Sequence, residues 1–227
     1  MSDILREPPV RGVHPHVDGR WGGNSAAVIE IAYCNMRCPY CNVGALVLAP
    51  HTLPPHTTDQ VLEELSTPGT VVVTGGEPSM HRTLPVLLRG LKEAGHFVVL
   101  ETNGTQPDML RLLAEKGWVD HVVVSVKAPL DEDAYERCAG VFVPPELVEE
   151  SLDVLLVTGV EFSMTTVAVP ALLSVEDLLR LADRVRRFGP LDILDYNPAS
   201  PMDAEAAGGD IWTPEQMARI REMLKAP

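Results

Sequence analysis

Three cysteines within eight residues are the strongest chemical feature of the sequence. Cys34, Cys38 and Cys41 have the spacing Cys-x3-Cys-x2-Cys and directly follow a short apolar run. Zinc sites usually take four protein ligands, often as Cys-x2-Cys pairs, and the sequence contains no second pair. Three thiolates suit a 4Fe–4S cluster with one iron left open, which is a catalytic arrangement. The fourth cysteine, Cys138, lies far along the chain and is expected to fill a helix face.

Other segments carry groups that could bind a charged or polar ligand. Gly75 and Gly76 would let the backbone approach a ligand closely, and Glu77 beside them offers a carboxylate to an ammonium group. Asn103 can donate to and accept from a hydroxyl, and Lys127 offers a positive charge to a carboxylate. A plain strand-to-helix turn would explain the glycines without the carboxylate, and a lone lysine after a strand is usually solvated.

These residues need elements that bring them together. Short β-branched runs alternate with stretches of helical period, and continuous apolar runs are typical of parallel strands covered by helices. The fold class expected is therefore α/β, and functional residues should lie where the strands end. Loops at 50–56 and 199–210 could cover that rim. The predicted strands are 26–33, 70–73, 97–100, 121–126, 160–169 and 191–196, and the predicted helices are 57–65, 84–94, 108–116, 145–156, 175–188 and 214–224.

Charge and composition narrow the possible partners. The chain has 227 residues and 32 acidic against 18 basic side chains, a formal net charge of -14. Such a surface repels phosphate backbones and anionic lipids, which argues against nucleic-acid and membrane partners. No apolar run approaches the roughly 20 residues of a membrane span. The N-terminus does not have the pattern of a signal peptide, so a cytoplasmic location is expected, where clustered cysteines rarely form disulfides.

The motifs together resemble those of the radical S-adenosylmethionine (SAM) enzymes. The cysteine motif with Tyr40 is similar to the family signature, and Gly75-Gly76-Glu77-Pro78 resembles its GGEP turn. The segments 101–104, 125–129, 161–170 and 195–198 resemble later strand ends of the family. The resemblance implies a partial (β/α)6 barrel in a single domain, 1–227. The core would span about 24–198, with 1–23 and 199–227 as extensions.

The resemblance also implies the cofactors and the role of each site residue. Three cysteines would hold a 4Fe–4S cluster, and S-adenosyl-L-methionine would chelate the fourth iron. One-electron reduction would release methionine and a 5′-deoxyadenosyl radical, which abstracts a hydrogen from the substrate; a flavodoxin or ferredoxin would supply the electron. The expected metal ligands are Cys34, Cys38 and Cys41. The expected cofactor-binding residues are Tyr40, Gly75, Gly76, Glu77, Pro78, Glu101, Asn103, Ser125, Lys127, Thr166 and Asn197.

The sequence resembles two subgroups of the family, and these subgroups act on different substrates. The segments 102–129, 150–156 and 165–182 resemble short activating proteins of glycyl radical enzymes, of the anaerobic ribonucleotide reductase activator type. These abstract hydrogen from a glycine of a partner enzyme. That class usually has His, Asp and Arg at the positions of Asn42, Ser125 and Met164.

The alternative is a small-molecule enzyme that resembles 7-carboxy-7-deazaguanine synthase, which contracts a pterin to a deazapurine. It usually has Asp-Thr where this chain has Asn42-Val43, and its glycine-rich N-terminal motif is only faintly echoed at 18–23. The activating type is ranked first. A non-catalytic iron–sulfur or zinc module ranks third, because it would need no GGEP turn.

Overall fold

A computed structural model describes residues 7–225 of the chain. Within that range one sheet carries all the strands, and their spatial order follows their order along the chain. β2 to β7 are parallel, so the predicted α/β fold with parallel strands is confirmed. The strands are β1 Val10–Trp21, β2 Asn24–Ile31, β3 Thr70–Gly75, β4 Phe97–Thr102, β5 His121–Ser125, β6 Glu161–Ala168 and β7 Leu191–Asp195.

Strand β1 was not predicted, and it forms an antiparallel hairpin with β2. Trp21 pairs with Asn24, and the two residues between them, Gly22 and Gly23, have φ of 55° and 80°. A two-residue hairpin turn of this kind needs positive φ at both positions, which glycine adopts freely. The Gly-Gly pair was thus a usable sign in the sequence. The strand itself contains two glycines and a proline, residues that are uncommon in strands, and therefore its sequence did not indicate a strand.

All six predicted helices are present. Thr57 caps the helix that begins at Thr58: its side chain accepts from the Gln60 N–H, and the Gln60 side chain accepts from the Thr57 N–H. Among the described residues the longest helix has 13 residues. No helix in the described part of the chain could cross a membrane. The helices are α1 Gly44–Leu48, α2 Thr58–Glu64, α3 Leu84–Glu93, α4 Pro107–Glu115, α5 Glu132–Ala139, α6 Glu146–Thr158, α7 Val175–Val185, α8 Ala204–Ala207 and α9 Pro214–Lys225.

Side chains along the sheet alternate between a helix-covered face and a concave face. The helix-covered face holds the main core, in which Ile29, Val73 and Leu100 are fully buried. The concave face carries a smaller apolar cluster, against which Val17 and Trp21 of the hairpin pack. Its members are Ala26, Val28, Val72, Val99 and Val123. Because strand side chains repeat every two residues, the next residues on this face are polar ones at the strand ends.

Candidate active site

The three motif cysteines converge on one cavity at the C-terminal ends of β2 to β5. Its volume is about 200 Å³. Polar residues of the concave face reach it from the strand ends, as Glu101 does two residues after Val99. A larger cavity of about 780 Å³ lies between α7, β7 and α9, but no cysteine lines it. The predicted residues that line the cysteine cavity are Cys34, Cys38, Cys41, Tyr40, Gly75, Gly76, Glu77, Glu101, Asn103, Ser125 and Lys127.

Hydrogen bonds from the backbone and the side chain of Arg37 hold the cysteine loop in place. The Arg37 N–H donates to the Ala139 carbonyl at the end of α5, at 2.7 Å. The Arg37 guanidinium donates to the carbonyls of Cys34 and Met36 at 2.8 and 2.7 Å. Tyr33, just before the loop, has a φ of +66°, which is uncommon for a bulky residue. The Met36 N–H points at the Cys34 sulfur, at 3.3 Å. Such a donor tunes a cluster bound to that sulfur.

The environment of the thiols fits a multi-iron cluster. Burial raises the pKa of the Cys34 thiol to about 12 and also raises the pKa of Cys38. Cluster binding must therefore displace thiol protons. Within residues 7–225, no three His, Cys, Asp or Glu side chains lie close enough to hold a single metal ion. The three thiols line one cavity, and three thiolates are the ligand set expected for a cluster with one open iron.

Tyr40 and Cys138 lie in the packing around the loop. Tyr40 is 8% exposed, and burial raises the pKa of its hydroxyl well above the usual value, so the ring stays neutral. Cys138 is fully buried on α5, as predicted for a helix face, and is not among the residues lining the cavity. Burial raises the pKa of its thiol to about 12. Of the four cysteines, only the motif three face the cavity.

The glycine turn after β3 fits against the start of the cysteine loop. The Gly76 N–H donates to the Ile31 carbonyl at 2.8 Å, and the Glu77 N–H donates to the Tyr33 carbonyl at 2.7 Å. A Cβ at Gly75 or Gly76 would collide with those two carbonyl groups. The glycines are therefore needed for the close approach of the chain's own backbone, and an approach to a ligand stays a prediction.

Glu77 is a buried carboxylate at the end of the glycine turn. Its side chain accepts hydrogen bonds from Ser79, from the Thr102 hydroxyl at 2.7 Å and from the Asn103 N–H at 2.6 Å. Glu77 is 1% exposed, and no basic side chain of the described residues forms an ion pair with it. A buried charge is costly unless it is paired. An ammonium group in the cavity would complete this site.

Glu101 is tied to the N-terminal hairpin. Its carboxylate accepts from the Arg20 guanidinium at 2.6 Å, and both side chains are about a quarter exposed. The ion pair joins β1 to the end of β4 at the cavity wall. Arg20 was not among the predicted site residues. It does not line the cavity itself but contacts Glu101, which does, and it lies in the glycine-rich segment 18–23.

Lys127 brings a positive charge to the cavity. Its ammonium donates to the Ser125 hydroxyl at 2.8 Å and has no carboxylate partner within the described chain. The charge lowers the pKa of Cys34 and of Cys38, although burial outweighs it for both thiols. An anionic ligand group is therefore the natural partner of Lys127.

The side-chain amide of Asn103 is used within the protein. Its oxygen accepts from the Thr105 N–H and hydroxyl at 3.1 and 2.7 Å, and its nitrogen donates to Asn35 at 2.9 Å. Asn103 is 4% exposed. It lines the cavity and joins the end of β4 to the cysteine loop, and its expected contact with a hydroxyl of a ligand stays a prediction.

Three predicted residues are not among those that line the cavity. Thr166 is fully buried on the helix-covered face, because Met164 and Ala168 on either side of it along the strand belong to the main core. Pro78 is buried at the start of a 3₁₀ turn. Asn197 is exposed after β7, and its carbonyl accepts from the Asn42 side chain at 3.1 Å. The concave-face neighbours of Thr166 are Thr165 and Val167.

The family model of the "Radical SAM superfamily" matches residues 29–185, which is more than half of the chain. This chain belongs to the radical SAM superfamily. It is a radical SAM enzyme, and the cofactors of this superfamily are a 4Fe–4S cluster and S-adenosyl-L-methionine. The thiols, the unpaired Glu77 carboxylate and the unpaired Lys127 ammonium fit those cofactors chemically.

Two curated relatives of this chain have names that indicate different activities. The "Putative glycyl-radical enzyme activating enzyme MJ1227" of Methanocaldococcus jannaschii is 26% identical, with 80% of this chain and 77% of that protein covered. A 7-carboxy-7-deazaguanine synthase of Hyperthermus butylicus is 33% identical, with 58% of this chain and 54% of that protein covered. The match to the synthase thus spans about half of its length.

Solved structures support the fold. SuiB of Streptococcus suis bound to S-adenosylmethionine has a TM-score of 0.62 at 17% identity, covering 84% of this chain and 44% of SuiB. TYW1 with a lysine-pyruvate adduct has a TM-score of 0.59 at 15% identity, covering 87% of this chain and 72% of TYW1. At these identities the likeness shows the shared radical SAM fold alone.

Proposed function

We propose that this enzyme takes a hydrogen atom from a glycine of a partner glycyl radical enzyme. Cys34, Cys38 and Cys41 would hold the cluster. When reduced by a flavodoxin or ferredoxin, the bound cluster supplies the electron that cleaves SAM into methionine and a 5′-deoxyadenosyl radical. The glycine Cα–H bond then breaks, a C–H bond of 5′-deoxyadenosine forms, and the radical stays on the glycine.

The chain's own charges would orient the cosubstrate. Glu77 would accept the methionine ammonium, which completes its buried hydrogen-bond set. Lys127 would face the methionine carboxylate, and Ser125 holds the lysine in place. We also propose that residues 1–227 form one domain with a core at about 24–198, to which 1–23 and 199–227 are extensions.

The observation that supports this proposal is that the concave face of the sheet is open at β6 and β7. Leu194 of β7 pairs with Val167 of β6 on this face and is 46% exposed, and Asp192 beside it is also exposed. The hairpin covers the same face only near β2 to β5. The cysteine cavity, about 200 Å³, is smaller than the roughly 300 Å³ at the low end of ligand pockets. We infer that the substrate extends along the open face, as a glycine-bearing loop would.

The coverage of the Methanocaldococcus jannaschii relative supports the same choice. That match extends over 80% of this chain and 77% of the relative, so it includes most of the length of both proteins. The matches to deazaguanine synthases at 36% identity cover 40% of this chain.

The test uses reconstituted enzyme, dithionite, SAM and a glycyl radical enzyme encoded beside it or in the same genome. We expect 5′-deoxyadenosine together with the paramagnetic signal of a glycyl radical. A partner whose glycine is changed to alanine should give no such signal. 5′-Deoxyadenosine without a glycyl radical on any such partner would contradict the proposed substrate but not the radical SAM chemistry.

The hairpin favours a second candidate, a small-molecule enzyme of the deazaguanine synthase type. Arg20 and Glu101 form an ion pair beside the cavity, and such a pair could meet the polar edge of a pterin. Supplying a carboxylated pterin in the same assay distinguishes the two. A deazapurine product identified by mass spectrometry, with no glycyl radical, would establish this second function.

A further inference from the structure

The segment 197–203, here called the strap, crosses the cysteine loop. The Met202 N–H donates to the Cys41 carbonyl at 3.0 Å, and the Asp203 N–H donates to the Pro39 carbonyl at 2.9 Å. Two successive backbone bonds from one segment fix the loop between its second and third cysteines. Asp203 then caps α8 through its carboxylate.

Asn42 adds a side-chain contact to the strap. Its amide donates to the Asn197 carbonyl at 3.1 Å, and the Asn197 side chain in turn accepts from the Ala199 N–H at 3.0 Å. Asn42 directly follows the third cysteine, where the sequence departs from both resembling subgroups. The structure gives that departure a physical role, because this amide joins the end of the cysteine loop to the start of the strap.

The side chain of Met202 reaches the cavity itself. It lines the cavity together with Cys41 and Val47. Gly44 makes room for it, since a Cβ there would lie 3.0 Å from the Met202 Cγ. A thioether side chain is apolar, flexible and polarisable, so it can pack against an irregular ligand.

We propose that Met202 closes the cysteine cavity, with Asn42 as the positioning residue that holds the strap in place. The Met202 side chain would pack against bound SAM and keep water and oxygen away from the cluster. This inference rests on the cluster site assigned to the three cysteines and does not depend on the substrate.

The experiment compares Met202→Ala, Met202→Leu and Asn42→Ala with the reconstituted wild-type enzyme, in the absence of substrate. Met223→Ala is the matched control, because Met223 lies exposed on α9. One readout is the SAM dissociation constant under anaerobic conditions, and the other is the half-life of cluster absorbance in air.

For Met202→Ala we expect SAM to bind about fivefold to tenfold more weakly, because a partly buried apolar side chain is lost. The cluster should also decay several-fold faster. Met202→Leu should stay within about twofold of wild type because volume and apolarity are kept. Asn42→Ala should speed cluster decay while Met202 is intact.

Unchanged SAM affinity and cluster lifetime in Met202→Ala would overturn the proposal. Equal effects in Met202→Ala and Met223→Ala would overturn it too, because they would reflect general destabilisation. A wild-type protein that takes up no cluster would overturn both this inference and the site on which it rests.

Discussion

The thiols of the motif cysteines face one cavity, whereas Cys138 is buried in α5. We therefore expect Cys34→Ala, Cys38→Ala and Cys41→Ala each to abolish cluster-dependent activity while the fold persists. Cys138→Ala should keep the cluster. The measurement is iron and sulfide per chain after anaerobic reconstitution, with circular dichroism to check folding. A full redox-active cluster in all three motif variants would refute the assignment.

Two substitutions test the Glu77 carboxylate, one that removes its charge and one that removes a hydrogen bond to it. Glu77→Gln removes the charge, so SAM should bind about tenfold to a hundredfold more weakly, as expected when a charged hydrogen bond is lost. Ser79→Ala removes a donor to the same carboxylate and should cost about 1 kcal/mol of unfolding free energy with little change in SAM affinity. Anaerobic equilibrium dialysis measures the SAM affinity, and urea unfolding measures the unfolding free energy. Equal SAM affinity in Glu77→Gln and wild type would disprove the role.

At the scale of elements, the end of α5 supports the cysteine loop. Gly140 ends α5 with a φ of 70°, and a Cβ there would collide with the Arg37 carbonyl. Gly159 ends α6 with a φ of 73° and open space around it, so it is a matched control. Alanine at either position should cost about 1 kcal/mol because positive φ strains a side chain. Gly140→Ala should cost about 1–3 kcal/mol more and lower the iron content. Equal losses in urea unfolding would count against this support.

The contact between the hairpin and β5 should depend on pH. The His121 ring meets Trp21 edge-on at 4.8 Å and lies 3.0 Å from the Ser163 hydroxyl. Burial lowers the pKa of His121, and Glu161 partly opposes this. The unfolded chain therefore takes up the proton first, so stability should fall as the pH drops below about 6.5.

Replacing this histidine tests the pH dependence. His121→Gln should reduce the loss of unfolding free energy between about pH 7.5 and about pH 5.5, because the titrating group is gone. His51→Gln, in an exposed position, is the control and should keep the full loss. The idea fails if both variants lose stability to the same extent as wild type.

The parallel core was predictable because buried parallel strands are continuous apolar runs, as at β3 and β5. The hairpin strand β1 was not, since its stability comes from packing Val17 and Trp21 on the concave face and not from its own composition. Within the site, too, some features depend on tertiary structure and could not be predicted from the sequence. The sequence places Thr166 and Thr165 side by side, but only the register of β6 decides which of them faces the core. Met202 reaches the cavity through loop contacts that leave no sequence pattern.

At the scale of the whole molecule, the sheet is open, with β1 and β7 as its two edges. An open strand edge invites pairing with another chain. On β7 the Arg221 guanidinium from α9 donates to the Ile193 carbonyl at 2.9 Å and pairs with Asp195 at 3.0 Å. The same guanidinium thus occupies a backbone acceptor that a second chain would otherwise use. The net charge of -14 also keeps copies apart at low salt.

Arg221→Ala should uncover this edge. We expect more self-association in sedimentation velocity and an unfolding free energy lower by about 1 kcal/mol, the usual value of one hydrogen bond. The association should grow with salt, because at about 1 M ionic strength the Debye length shrinks to about 3 Å and repulsion between the acidic copies is screened. Arg219→Ala removes the same charge from an exposed position on α9 and is the control. If both variants associate equally, the charge alone protects the molecule, and the contact of Arg221 with the edge strand does not.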